Sequence, residues 1–134
     1  MKRCALIIAL AFAACLAHAA DYPTHSIRFI IPYAPGGNAD IMGRIVGQRL
    51  SEALGQSVVI DNRPGANGII GTDLAAKAPP DGYTIIIVAS SHSTNPVMVK
   101  QLPYDSVRDF APVGLVGSTP VVLVVHPSLP ITNL

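Results

Sequence analysis

The sequence predicts an α/β domain built on a mostly parallel, doubly wound sheet. Three short apolar runs alternate with two amphipathic runs along the chain, and the links between them are short. The order strand, helix, strand, helix, strand corresponds to two crossover units, which make the strands parallel and put helices on both faces. The strand segments are apolar almost throughout, which is typical of strands that are covered on both faces.

The first strand and the first helix are predicted on either side of a glycine-rich loop. Residues 27–31 (IRFII) form an apolar, β-branched run ended by Pro32, as expected of a buried strand. From Asn38 the apolar residues recur at spacings of three and four, which defines one helix face, and Gly55 is the predicted C-terminal stop. The apolar positions of this helix are Ile41, Met42, Ile45, Val46, Leu50 and Leu54.

A second strand and a second helix follow. Residues 58–60 are predicted as the strand, and the segment 61–65 (DNRPG) has the composition of a turn. Asn67 is predicted to cap a helix that runs through Ala78 and ends at Pro79–Pro80.

The remaining chain is predicted to return to strands. The turn at 81–82 leads into the third strand, residues 83–88, and residues 95–102 are compatible with one or two helical turns. Residues 113–116 and 121–125 have the composition of further strands.

Residues 1–19 are predicted to be a cleavable secretory signal peptide. Two basic residues precede an apolar run at 4–17, and a small-x-small cleavage site occupies 17–19. The apolar run is shorter than the roughly 20 residues of a membrane-spanning helix, although an uncleaved anchor is an alternative. A lipoprotein with its lipid on Cys15 is a second alternative, but the usual leucine before such a cysteine is missing.

Composition excludes several classes of function. Both cysteines lie in the predicted signal peptide, so the mature chain would have no disulfide and no thiol nucleophile, which suits a bacterial periplasm. Without the signal peptide, seven basic residues face eight acidic ones and no basic block exists, which argues against nucleic acid and anionic membranes as partners. His25, His92 and His126 share no short ligand spacing, so no metal site is predicted.

The loop 32–40 (PYAPGGNAD) is the main candidate for a ligand site. Ligands of parallel sheets bind beyond the carboxyl ends of the strands. The predicted loop at 90–93, after the third strand, would line the same crevice if the first and third strands are neighbours. Gly36 and Gly37 allow a close approach of the backbone, and the helix start adds free N–H groups and a positive dipole end. These groups would bind an anion without a cationic side chain. The loop matches neither the dinucleotide nor the P-loop fingerprint, so no cofactor is predicted.

Structural alternatives remain for this loop. It could be a tight turn that needs glycine for a positive φ. Asp40, in the first helical turn, could cap the helix, or it could reject a second negative charge on a ligand and hydrogen-bond a hydroxyl or ammonium group.

Several segments together resemble the periplasmic substrate-binding proteins of tripartite tricarboxylate transporters, also called the Bug family. The resemblance rests on PYAPGGNADIMGR, NRPGA, PPDGYT and LPYDSVRDFAPV, and it extends from about Tyr22 to the last residue. It implies a periplasmic-binding-protein-like fold of type II, in which two lobes close around a small carboxylate. It further implies a monomeric periplasmic receptor that delivers its ligand to the membrane permease subunits of the transporter.

The resemblance also implies which residues bind the ligand. In the family, the loop that matches residues 33–40 holds a ligand carboxylate, partly through ordered waters, and the segment that matches 90–93 lines the same cleft. The implied ligand-binding residues are Tyr33, Gly36, Gly37, Asn38, Ala39, Asp40, Ser91 and His92. Many relatives have a serine or threonine at the position of Ala39, so one hydroxyl donor is missing here. Ser118 and Thr119 match a region close to the crossing between the lobes.

Length separates this chain from the family it resembles. Family members are more than twice as long, so residues 20–119 are expected to form the N-terminal part of the first lobe. Residues 120–134 are expected to form the crossing strand and the truncated start of the second lobe. We therefore expect the 134-residue chain to be marginally stable and to bind weakly. A non-functional truncated fragment is the alternative to a working receptor.

An exported hydrolase that uses Ser91 and His92 is the rival class of function. Adjacent residues rarely direct their side chains at one point, and no G-x-S-x-G motif surrounds the serine. The chain is therefore predicted not to be an enzyme.

Overall fold

The computed structural model describes residues 22–120, 122, 124–126 and 128–129. The predicted signal peptide at 1–19 lies outside the described residues, as do two positions of the predicted strand 121–125.

The described part of the chain contains three strands and three α-helices. The elements are β1 (Ile27–Ile31), α1 (Asn38–Leu54), β2 (Val58–Asn62), α2 (Ile69–Ala76), β3 (Thr84–Ile86) and α3 (Ser91–Met98). A short 3-10 turn, Ala66–Gly68, directly precedes α2.

The strands form one parallel sheet in the order β2–β1–β3. Because β1 is central, its side chains Ile27, Phe29, Ile30 and Ile31 are all buried. Since β2 and β3 lie on opposite sides of β1, two right-handed crossovers place α1 and α2 on opposite faces of the sheet. The prediction of a parallel, doubly wound sheet is confirmed.

Helix α1 packs closely on the sheet because it has glycines at two contact positions. A Cβ atom on Gly43 would lie 2.6 Å from Cδ1 of Ile31, and one on Gly47 would lie 3.0 Å from Cδ1 of Ile60. The core between helix and sheet consists of Phe29, Ile31 and Ile87, with Met42, Val46, Val58, Ile60 and Ile85 packed around them.

The end of α1 was predicted correctly, whereas the start of α2 was not. Gly55 ends α1 in the left-handed conformation, with φ of 66°. Helix α2 begins at Ile69 after Gly68, and Asn67 lies in the preceding 3-10 turn with φ of 54°. The predicted capping role of Asn67 is wrong because its side-chain amide donates to Oδ1 of Asn95 at 3.0 Å.

The chain after β3 differs most from the prediction. Helix α3 begins at Ser91, so residues 90–93, predicted as a loop, form a helix start in which the amides of Ser93 and Thr94 donate to the carbonyl of Ser90. Residues 113–116 are exposed and form no strand, because no described strand lies beside them to pair with their backbone. Among the helices of the described residues, none combines the length and the hydropathy of a membrane-spanning segment.

Candidate functional site

The loops that follow β1 and β3 meet at the carboxyl end of the sheet. The two strands are adjacent and parallel, so the loops leave the sheet at the same edge. The hydroxyl of Tyr33, after β1, lies 2.7 Å from Oγ of Ser91 at the start of α3, and it accepts a hydrogen bond from the amide of Ala89 at 3.0 Å. The condition for a shared crevice, that the first and third strands be neighbours, is met.

The Tyr33–Ser91 pair has one hydroxyl hydrogen to offer a ligand. Two hydroxyls carry two hydrogens, and the bond between them uses one, whichever group donates. The amide of Ala89 donates to the Tyr33 hydroxyl, so it cannot accept the second hydrogen. No other acceptor for this hydrogen is bonded to the pair among the described protein groups. One hydroxyl hydrogen of the pair therefore has no partner among the described residues.

The backbone amides at the start of α1 form a second group of donors. Gly37 precedes the helix with φ of −79° and ψ of 170°, and no side chain caps the helix from this position. The first helical hydrogen bond runs from the amide of Ile41 to the carbonyl of Gly37 at 3.0 Å. In residues 22–120, the amides of 37–40 donate no hydrogen bond of ordinary geometry to a protein acceptor. Unpaired amides at a helix start, where the helix dipole is positive, favour an anion.

The amide of Gly36, in contrast, is already bonded within the protein. It donates to Oδ2 of Asp40 at 2.9 Å, and Gly36 has a left-handed φ of 86°. Asp40 is 3% exposed and also accepts hydrogen bonds from Nε of Arg44 at 3.0 Å and Nδ2 of Asn62 at 2.9 Å. A positive φ therefore requires glycine at Gly36 but not at Gly37. The hydrogen bonds of Asp40 give its carboxylate a structural role in holding the loop.

Asp40 is ionised and electrically compensated. The hydrogen bond from Arg44, followed by those from Gly36 and Asn62, lowers the pKa of Asp40 from 3.8 to about 2, although burial opposes the shift. The Arg44 guanidinium, 3.0 Å away, balances the charge of the carboxylate. The loop thus presents no uncompensated negative charge to an anionic ligand.

Asn38 and Ala39 point in different directions. Nδ2 of Asn38 donates to Oγ1 of Thr119 at 2.8 Å, which ties the glycine loop to the segment predicted to lie near the crossing between lobes. Ala39 is half-buried and packs against the core of the α1 face.

His92 does not join the crevice residues. Its Nε2 lies 3.0 Å from the carbonyl oxygen of Ser106, and its ring lies parallel to that of Tyr104 and edge-on to that of Phe110. Because Oγ of Ser91 is bonded to Tyr33 instead, Ser91 and His92 do not form the nucleophile–base pair that a hydrolase would need.

A cavity of about 320 Å³ lies beside α3, away from the crevice. Residues 96, 99, 100, 102 and 104–107 line it, and none of them was predicted as a site residue. The buried hydroxyls of Tyr104 and Ser106, both lining residues, have no hydrogen-bond partner among the described groups. Within the same part of the chain, no cluster of three or more potential metal ligands exists.

Two polar residues that bond to loops at the carboxyl end of the sheet, Asn62 and Asn95, were not predicted as site residues. Asn62 was assigned to a turn, but it is the last residue of β2 and bonds both Asp40 and the carbonyl oxygen of Tyr33. Asn95, 2% exposed, joins α3 to the loop after β2 through a pair of hydrogen bonds with Asn67. The position of Asn62 directly after an apolar strand was the available signal, because ligand sites of parallel sheets lie at such ends.

Comparison with known families and proteins agrees with this architecture. The family described as "Tripartite tricarboxylate transporter family receptor" (TctC) matches residues 42–134 of the chain, which is more than half of it. The protein BugT of Bordetella pertussis is 40% identical over 131 residues, an alignment that covers 96% of this chain, including the glycine loop, and 40% of BugT. The chain thus spans less than half the length of this relative.

Solved structures of similar proteins show the same fold. The periplasmic binding protein BugD superimposes with a TM-score of 0.67 at 36% identity, over 69% of this chain and 31% of BugD. MatC from Rhodopseudomonas palustris with bound malate gives 0.68 at 31% identity, over 71% and 33% of the two chains. An R. palustris protein with adipate gives 0.61 at 42% identity, over 63% and 29%. The predicted periplasmic-binding-protein-like fold is confirmed, on a small parallel sheet of three strands.

Proposed function

Because the chain belongs to the family of tripartite tricarboxylate transporter receptors, we propose that it binds a small organic acid in the crevice between the loops after β1 and β3. Proteins of this family and its structural neighbours are solute-binding proteins rather than enzymes. The observation that carries the proposal is the set of unpaired amides at 37–40, next to the free hydroxyl hydrogen of the Tyr33–Ser91 pair.

The chemistry of these donors favours a carboxylate. A carboxylate accepts several hydrogen bonds through two oxygens, and both donor groups of the crevice are neutral N–H or O–H groups. Arg44, the cation that forms an ion pair with the loop, is bonded to Asp40. Malate and adipate, found in two of the structural neighbours, are both carboxylates.

Each predicted site residue has a place in this proposal. Gly37, Asn38 and Ala39 offer backbone amides, and Tyr33 with Ser91 offers the hydroxyl donor. Gly36 and Asp40 shape the loop through their mutual hydrogen bond. His92 supports the site indirectly, because its bond to Ser106 fixes the start of α3, where Ser91 lies.

The proposal extends to export and transport. The chain would enter the periplasm with cleavage after Ala19, act as a monomer and deliver its ligand to the membrane permease subunits of the transporter. Residues 20–119 would form the N-terminal part of the first lobe, and 120–134 the crossing strand and the truncated start of the second lobe. The membership of the family supports these statements.

Two experiments test export and delivery. Periplasmic extracts of cells that express the chain should contain a protein whose intact mass corresponds to residues 20–134. An unprocessed or lipidated membrane form would contradict cleavage.

Uptake of labelled malate by cells with a permease of this family should rise when the chain is present, and unchanged uptake would contradict delivery.

The binding proposal is tested by following backbone amides in a nuclear magnetic resonance titration. We expect malate or adipate to shift the amide signals of residues 37–40 selectively, with a dissociation constant of about 1 mM because the chain is expected to bind weakly. The neutral diamides of the same acids and sodium chloride serve as controls. Shifts of equal size with chloride, or none at these amides with either acid, would reject the site, and the second result would favour a non-functional chain.

A pair of tyrosine variants separates the crevice from the rest of the fold. Tyr33→Phe removes the hydroxyl between Ser91 and Ala89, and we expect a loss of malate affinity of about tenfold. Tyr22→Phe is the matched control. It removes one hydrogen bond, from the Tyr22 hydroxyl to the carbonyl of Gly82 at 2.7 Å, which lies away from the crevice loops. Equal affinities for the two variants would contradict a role for the Tyr33 hydroxyl.

A further inference from the structure

On the basis of the proposed function, we infer that Asn62 and Arg44 are positioning residues that hold the glycine loop in the shape that leaves the amides at 37–40 free for a ligand. Neither residue was predicted as a site residue, and each of them is bonded both to Asp40 and to the other.

Asn62 uses its whole side-chain amide in this role. Its Nδ2 group donates to Oδ1 of Asp40 at 2.9 Å and to the carbonyl oxygen of Tyr33 at 3.2 Å. Its Oδ1 atom accepts a hydrogen bond from Arg44 at 3.2 Å. One side chain thereby joins β2, the loop after β1 and the first turns of α1.

These bonds hold the loop at both ends and in the middle. Tyr33 lies at the start of the loop, Gly36 is held in the middle by Asp40, and Asp40 itself lies in the first turn of α1. Asn62 pairs in register with Ile31, the last residue of the central strand, so its hydrogen bonds connect the loop to the centre of the sheet. A loop held in this way does not have to be ordered by the ligand, which removes an entropic cost of binding.

Arg44 contributes charge as well as a hydrogen bond. Asp40 is buried, and a buried carboxylate without a cation close by would repel a ligand carboxylate at the neighbouring amides. Arg44 is the charged group bonded to Asp40 from α1, the Gly36 amide faces it from the loop, and β2 contributes the neutral amide of Asn62. An aspartate at position 62 would place a second carboxylate against Asp40, which explains why an amide suits this position.

The first test reads the network without any ligand. The Gly36 amide signal of the 134-residue chain is followed by nuclear magnetic resonance from pH 7 to about pH 3. In the wild type it should stay constant, because the pKa of Asp40 is about 2. In Asn62→Leu and Arg44→Gln it should titrate with a midpoint closer to 3.8, the ordinary value. Constant signals in both variants would overturn the inference.

Arg49→Gln is the matched control for this test. Arg49 lies on the same helix and forms an ion pair with Glu52 at 2.9 Å, but it is largely exposed and does not contact Asp40. Its removal should leave the Gly36 signal constant. Arg44→Lys retains the positive charge but not the paired N–H donors of the guanidinium. The pH midpoint of its Gly36 signal should therefore lie between those of the wild type and Arg44→Gln. If Asn62→Leu fails to fold, the two Arg44 variants carry the test.

The second test measures malate binding with the same variants. Asn62→Leu and Arg44→Gln should weaken binding by about tenfold to a hundredfold, and Arg49→Gln should leave it unchanged. Wild-type affinity in variants whose Gly36 signal has become pH-dependent would overturn the inference. A wild-type chain that binds neither malate nor adipate would instead reject the proposed function, while the first test would still report on the network.

Discussion

Asp61 and Asn62 are neighbours in β2, but their side chains belong to two different networks. Successive side chains of a strand point to opposite faces of the sheet. Asp61 accepts hydrogen bonds from Nε of Arg28 at 2.8 Å and Nε of Arg63 at 2.7 Å, on the face opposite to α1. Asn62 points to the α1 face and bonds Asp40 and the glycine loop.

The two networks use the same chemistry for different purposes. On the Asp61 face, a carboxylate and two arginines join β1 to β2 and to the residue after it. Although partial burial opposes ionisation, the bonds from Arg28 and Arg63 lower the pKa of Asp61. On the Asn62 face, the carboxylate of Asp40 holds a loop whose other amides remain free. The comparison shows that the face on which a polar side chain lies decides whether it stabilises the sheet or shapes the crevice.

The largest effect is expected for Asp40→Ala. This change removes the acceptor of three hydrogen bonds, including that of the Gly36 amide, so it should affect both stability and binding. We expect the melting temperature to fall by roughly 10 °C and malate affinity to fall about a hundredfold. Thermal melts and amide titrations measure the two effects. Retention of wild-type malate affinity would show that the Asp40 network does not shape the crevice, and the two faces of β2 would then not differ in role.

Asp61→Ala should reduce stability and leave binding intact. Arg28 and Arg63 lose their shared acceptor, which should lower the free energy of unfolding by about 1–2 kcal/mol, since both arginine side chains are partly exposed. Malate affinity should stay within about twofold of the wild type, because Asp61 contacts neither crevice loop. A loss of affinity as large as that of Asp40→Ala would contradict the comparison. Urea denaturation gives the free energy of unfolding.

Acid should weaken the Asp40 network over a defined range of pH. The pKa of Asp40 is about 2 in the folded chain and 3.8 as the ordinary value, so its ionised form contributes stability above about pH 4. That contribution is lost as the pH falls from about 4 towards 2. Melting temperatures from pH 5 to 2.5 should therefore decrease, with a smaller decrease in Asp40→Asn. Parallel curves for the two proteins would show that other carboxylates, such as Asp61, dominate the acid response.

The smallest effect is expected for Arg49→Gln. The Arg49 side chain is 79% exposed, and its ion pair with Glu52 is a surface pair. Its loss should change the free energy of unfolding by less than about 0.5 kcal/mol, as measured by urea denaturation. A larger change would indicate that surface pairs of α1 stabilise the domain, and it would weaken the contrast with Arg44.

Elements whose pattern is local were predicted well. The buried run 27–31, the extent of α1 and the stop at Gly55 each depend on residues a few positions apart, and the structure has them at the predicted places. The predicted face of α1 was only partly right, because Met42 and Val46 pack on the core whereas Ile41 and Ile45 are more than half exposed. Residues 113–116 have an equally strong strand composition but form no strand, because pairing needs a neighbour that composition does not specify. Asn67 was misjudged for a similar reason, since its partner Asn95 lies 28 positions away.

Taken alone, the amino-acid sequence determined the local conformations of this protein: the parallel α/β order, the glycine loop between β1 and α1, and the position of Asp40 in the first helical turn. The tertiary structure decided the partners. Only the strand order β2–β1–β3 brings Tyr33 to Ser91, and only the register of β1 with β2 brings Asn62 to Asp40. Local conformation depends on side chains within a turn or two of one another, whereas such contacts depend on how distant segments pack.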